Sequence, residues 1–96
     1  MSNNVDDLTV NYEEEGVLLV KELGKEVLSK GAWTTILFRY QNWDKSKGEY
    51  SQEMYSIRRY QKRQGEYFPK SKFNISSIEQ AQKIVATLQS WLTETK

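Results

Sequence analysis

The chain contains no cysteine and no histidine among its 96 residues. That removes disulfides, thiolate nucleophiles, Cys/His zinc sites, imidazole bases and every Ser-His-Asp or Cys-His triad. Few simple catalytic designs survive, so a non-enzymatic protein without metal or cofactor is expected. Proline occurs once and glycine five times, against 38% hydrophobic and 12% aromatic residues, which fits a folded domain rather than a disordered or fibrous one. No apolar stretch approaches the roughly 20 residues that span a bilayer, and the first residues are amides and acids rather than a basic start with an apolar run. A soluble protein of a reducing compartment, the cytoplasm, is expected, with no membrane partner. Ninety-six residues bury one modest core. Self-association is a ready way for so small a domain to hide further apolar surface.

The net charge of +1 conceals a division. Residues 1–30 hold seven acids against three lysines, a balance of −4, whereas residues 31–96 hold eleven bases against six acids, a balance of +5. The densest part is Arg58, Arg59, Lys62, Arg63, Lys70 and Lys72, faced within the stretch by Glu66 alone. A field of that sign attracts phosphates.

Hydrophobic periodicity supplies the elements. Residues 1–15 read as a polar, acidic N-terminal segment, partly disordered or forming a short extra strand from Leu8 to Tyr12, with Glu13-Glu14-Glu15 as a solvated turn ending at Gly16. Residues 16–96 read as one sheet-plus-helix domain. Val17-Leu18-Leu19-Val20 suits a short buried strand, and Gly24 and Gly31 punctuate the stretch after it. Residues 32–43, AWTTILFRYQNW, are dense in β-branched and aromatic side chains and predict a long strand. Alternation puts bulk on both of its faces, so one face is expected against a helix and the other under a partner or ligand.

Asp44 to Gly48 predict a hairpin loop, and residues 49–62 a second long strand. In that strand Met54, Ser56, Arg58, Tyr60 and Lys62 share one side, with Tyr55, Ile57 and Arg59 on the other. Gln64-Gly65 marks the next turn, and residues 67–75 a further strand in which Pro69 requires an edge or a bulge. Ser76-Ser77-Ile78-Glu79 has the capping-box form of a helix start. Ala81, Ile84, Val85, Leu88, Trp91 and Leu92 then recur at helical spacing as a single apolar stripe. The fold class predicted is α+β: a twisted antiparallel sheet of about four strands followed by one C-terminal helix.

Bases interleaved with rings suit single-stranded nucleic acid, whose base faces stack on aromatics while Arg and Lys follow the phosphates. Candidate contacts are Arg58, Arg59, Lys62, Arg63, Lys70 and Lys72 for phosphates, and Trp33, Tyr55, Tyr60 and Tyr67 for stacking. Alternation does not decide which face binds, since both carry aromatics. The other reading of the same residues is a protein-interaction module whose aromatic face docks another protein.

Two local pieces resemble the positive cofactor four family of transcriptional coactivators and its small bacterial homologues. Ser56-Ile57-Arg58-Arg59-Tyr60 is similar to that family's Asp-Ile-Arg-x-Tyr/Trp strand. Residues 69–80, PKSKFNISSIEQ, are similar to its proline-and-lysine turn, Lys-Gly-Ile-Ser-Leu strand and helix start. Glu22-Leu23-Gly24, Val27-Leu28-Ser29 and Trp33-Thr34 resemble a run in the bacterial members, so the likeness spans about residues 20–90. The resemblance implies a homodimer whose curved sheets bind single-stranded DNA with little sequence preference. Its helices would pair across the interface, here through Leu88, Trp91 and Leu92. It assigns strand contact to Arg58 and Lys72, with Tyr60 beside them. Phe73-Asn74, Phe68 and Gln52 depart from the family pattern, the last two replacing bases.

Overall fold

Four antiparallel connections shape the sheet, two of them tight. In the computed structural model, which describes residues 4–94, Glu15-Gly16 and Gln64-Gly65 each pair two positive φ angles (52° and 81°; 52° and 83°). That is the backbone a two-residue hairpin needs if it is to match the right-handed twist of its strands. The elements are β1 (Tyr12–Glu14), β2 (Val17–Ser29), β3 (Trp33–Asp44), β4 (Glu49–Tyr50), β5 (Met54–Arg63), β6 (Glu66–Ile75) and α1 (Ile78–Glu94), preceded by a short 3-10 turn at Val5–Asp7. The sheet runs β1-β2-β3-β5-β6, all neighbours antiparallel, with β4 paired to β3 off that path.

The α+β class stands, with six strands rather than about four. Both additional ones, β1 and β4, are short. β4 and β5 are the single strand expected over residues 49–62, interrupted at residues 51–53. There Ser51 stays fastened to β3: its amide donates to the Asn42 carbonyl, and its hydroxyl and carbonyl oxygens accept from the Asn42 amide and the Gln41 side-chain amide. β2 extends to thirteen residues because Gly24 does not end it. Gly24 sits at a register shift against β3, where the strand bulges and the sheet curls. The extra short strand begins at Tyr12 instead of covering residues 8–12, and it takes in Glu13 and Glu14, which were expected in the turn. Residues 1–3 of the segment expected to be partly disordered lie outside the described residues.

Pairing registers divide the sheet into two faces. One carries Thr34, Ile36, Phe38 and Tyr40 of β3 with Ser56, Arg58 and Tyr60 of β5. Its cover is neither helix nor partner. Val5, Leu8 and Val10 of the N-terminal segment pack there, forming the core with Ile36, Phe38, Tyr40, Tyr60 and Tyr67. Period-two reasoning missed this because residues 4–11 are mostly polar, and three separated aliphatic side chains leave no periodic signal. Polar clips fasten this strap: the Lys25 ammonium donates to the Val5 and Leu8 carbonyls at 2.7 Å each, and the Asn11 side chain accepts the Glu22 amide at 2.7 Å.

The opposite face carries Leu37, Tyr55, Ile57 and Ile75, and α1 rises beside it. Ser77 caps the helix by accepting the Gln80 amide at 3.0 Å, while the Gln80 side chain reaches back to the Ser76 amide at 2.6 Å. The capping pair is therefore Ser77 with Gln80, one residue later than the Ser76–Glu79 pairing expected from sequence. No residue of α1 is buried, and its main contact with the sheet is to β6. The radius of gyration, 15.6 Å, exceeds the roughly 12.5 Å of a compact chain of this length, and the shortest extent is only 17 Å. Strap and sheet make the core, and the helix projects.

Candidate nucleic-acid interface

Register places Arg58 of β5 directly opposite Lys72 of β6, on the strap face. Like charges in facing positions repel, and among the described residues neither forms an ion pair with a carboxylate; the pair found there is Arg39–Glu53 at 3.6 Å. Two facing cations on a sheet make a local positive field. Lys62, two same-face positions nearer the hairpin tip, lies with its ammonium 5.5 Å from the centre of the Tyr67 ring.

Beyond Lys62, the β5–β6 tip forms a cleft of about 410 Å³ lined by Arg63, Gln64, Phe68, Pro69 and Lys70. Pro69 stands on an edge strand at a register shift, as its missing donor requires. The shift leaves Lys70 unopposed in the ladder. Arg58, Lys72, Lys62, Arg63 and Lys70 thus lie along one hairpin. β6 is also an exposed sheet edge, and its lysines and proline discourage edge-to-edge pairing with a further strand.

The aromatic candidates separate. Tyr60 and Tyr67 lie in the core under the strap, at 6% and 3% exposure, so their rings have no free face on which a base could stack. Burial pushes the Tyr60 hydroxyl above the ordinary phenol value; the nearby Arg58 charge acts against that shift and the Glu22 carboxylate with it. Trp33 and Arg59 belong to the opposite face. Trp33 is 42% exposed, and the Arg59 guanidinium sits 4.5 Å from its ring centre, a cation–π pair at the end of the sheet nearest the basic hairpin tip. Tyr55 lines the groove between sheet and helix.

That groove, about 710 Å³, is walled by Leu28, Leu37, Ile57 and Ile75 of the sheet and by Ile78, Val85 and Leu88 of α1, and is almost wholly apolar. Leu88 faces it, while Trp91 and Leu92 continue the exposed stripe beyond it. Trp43 is structural. Its ring meets Tyr50 edge-on at 5.0 Å, and the Tyr50 hydroxyl donates to the Leu18 carbonyl at 2.8 Å.

Two residues that were not among the candidate contacts, Ser56 and Asn74, stand behind Arg58. Ser56, fully buried, accepts from the Arg58 Nε at 3.2 Å, and its own hydroxyl donates to the Asn74 Oδ1 at 2.7 Å. A polar residue on the inward side of β5, two positions from an arginine, was the only available signal. No helix among the described residues is long and apolar enough to cross a membrane. Nor do the described residues contain a group of acids placed to hold a metal ion.

Comparison with known protein families, characterised proteins and solved structures finds no match to this chain. Function is therefore read from the geometry and from the local likenesses in the sequence.

Proposed function

We propose that this chain is a non-enzymatic binder of single-stranded nucleic acid with little sequence preference, DNA before RNA. The phosphates would follow the β5–β6 hairpin. The observation that carries this reading is the Arg58–Lys72 rung: two facing cations without a carboxylate partner among the described residues, continued by Lys62, Lys70 and Arg63. A flexible phosphodiester chain can meet such a row one charge at a time. The resemblance to the positive cofactor four family supports the same two residues, Arg58 and Lys72. With Tyr60 and Tyr67 enclosed, stacking is left to Trp33, backed by Arg59, where the nucleic-acid strand would pass round the hairpin end of the sheet onto the opposite face.

Homodimerisation belongs to the same proposal. An apolar groove bordered by a helix whose Val85, Leu88, Trp91 and Leu92 are all exposed suits a second copy, each helix stripe covering the other's groove around a twofold axis. The protein-docking alternative draws on the same apolar surface and would leave the basic hairpin without a role.

The test is a fluorescence-anisotropy titration of a labelled mixed-sequence oligonucleotide, single-stranded and duplex, at several salt concentrations. Log affinity for the single strand should fall linearly with log salt, by about 0.7 per phosphate neutralised. Arg58→Ala and Lys72→Ala should each flatten that slope by about 0.7 without changing the melting temperature. Binding that ignores salt, or an equal loss of fold in both variants, would remove the proposal.

A further inference from the structure

A guanidinium can grip a phosphate end-on through its two outer nitrogens, and an arginine on a solvated strand ordinarily spends several rotatable bonds to hold that pose. Arg58 is held from behind. Its Nε–H is taken by the Ser56 Oγ at 3.2 Å, two residues back on the same face of β5. Arginine can only donate, so the serine oxygen accepts there and has one proton left to give. That proton goes to the Asn74 Oδ1 across the β5–β6 rung at 2.7 Å.

Ser56 is completely buried beside Phe38, while Asn74 is exposed on the edge strand, so the relay runs from the sheet's outer edge through its interior to the base of the guanidinium. Among the described residues no buried side-chain polar atom lacks a hydrogen-bond partner. With Nε committed to Ser56, both Nη groups remain for a bidentate contact, on the same rung as Lys72.

We infer that Ser56 and Asn74 are positioning residues that preset the Arg58 guanidinium, beside the Lys72 ammonium, to clamp one phosphodiester group. This rests on the nucleic-acid reading above and deepens it. It also gives a use to Asn74 at one of the places where the chain departs from the family pattern. The relay makes no contact with the strand itself, so its whole effect must pass through Arg58.

A double-mutant cycle tests that dependence. Binding of a single-stranded oligonucleotide is measured for the full chain and for Ser56→Ala, Asn74→Ala and Arg58→Ala, with each relay substitution also combined with Arg58→Ala. At 0.1 M salt, loss of one phosphate contact should weaken binding about fivefold, the factor carried by one released counterion. Arg58→Ala should show that loss. Ser56→Ala and Asn74→Ala should show part of it and a flattened salt slope, and neither should weaken binding further once Arg58 is alanine. Asn74→Ala guards against misfolding, because it breaks the relay from the surface. If Arg58→Ala weakens binding while the relay variants bind like the parent, or if their losses persist undiminished without Arg58, the positioning role is wrong and the binding reading survives. If Arg58→Ala binds like the parent, the assignment of the strand to this rung fails, and the relay with it.

Discussion

Leu8→Ala is the most informative single change for the fold, because it asks whether the N-terminal strap is part of the core or an ornament on it. Leu8 is 7% exposed and packs with Val5 and Val10 against a sheet face that includes the fully enclosed Ile36 and Phe38. Buried leucine-to-alanine substitutions cost about 2–5 kcal/mol, depending on how far the surroundings close the void. The strap is one chain thick and can settle by small shifts, so the lower half of that range applies, about 2–3 kcal/mol.

For a chain near 100 residues, about 2.5 kcal/mol corresponds to a drop of about 10–20 °C in melting temperature. It also lowers the urea midpoint by about 1–2 M at the m-values of small proteins. The assay is urea unfolding followed by tryptophan fluorescence and by circular dichroism. Glu15→Lys, in the exposed β1–β2 turn, serves as the comparison and should shift stability by less than about 0.5 kcal/mol. If Leu8→Ala is as mild as Glu15→Lys, the strap is not docked as described. The core would then have to be closed some other way, since Phe38 cannot sit bare against water.

Other consequences can be checked in the same laboratory. If the parent sediments as the proposed dimer, Leu88→Lys, on the groove side of α1, should sediment as a monomer with its circular dichroism spectrum unchanged, since no helix residue is buried within one chain; a monomeric parent would remove the dimer, and a dimer that survives the change would move the interface elsewhere. Ser77→Ala removes the oxygen that accepts the Gln80 amide and should cost about 0.5–2 kcal/mol, read as lost helicity and a lower urea midpoint. Burial raises the Tyr60 hydroxyl above its ordinary 10.0, so the stability associated with its neutral form is complete below about pH 10 and is lost as pH rises through the raised value. Tyr60→Phe should therefore lose less stability between pH 10 and 12 than the parent, and a parallel decline in both would place the alkaline sensitivity in other tyrosines. Three hydrogen bonds from Ser46 and Lys47 hold the Asp44 carboxyl below its ordinary 3.8, so their support of the β3–β4 turn is present at neutral pH and disappears as pH falls through that lowered value; Ser46→Ala should move the Asp44 titration, followed by NMR, back toward 3.8.

Much of this protein is decided by local pattern. The β3 strand follows from alternating β-branched and aromatic residues, and α1 from a 3.6-residue stripe behind a hydroxyl cap. The β5–β6 hairpin follows from Gln64-Gly65, whose glycine accepts a positive φ at no cost. The basic hairpin was equally legible, because register along one strand is a period of two and Arg58 and Lys62 keep step whatever the tertiary structure does. Tertiary structure alone decided the rest. Alternation assigns residues to faces but not faces to neighbours, so nothing in it revealed that residues 4–11 would cross over and seal the Phe38 side. That sealing took Tyr60 and Tyr67 out of reach of a ligand, while Trp33 stayed open on the opposite face. The Arg58–Lys72 rung and the Ser56–Asn74 link also required the pairing of two strands. Which residues oppose one another depends on the turn between them and on the register shift at Pro69, and those are settled only when the sheet closes its hydrogen bonds.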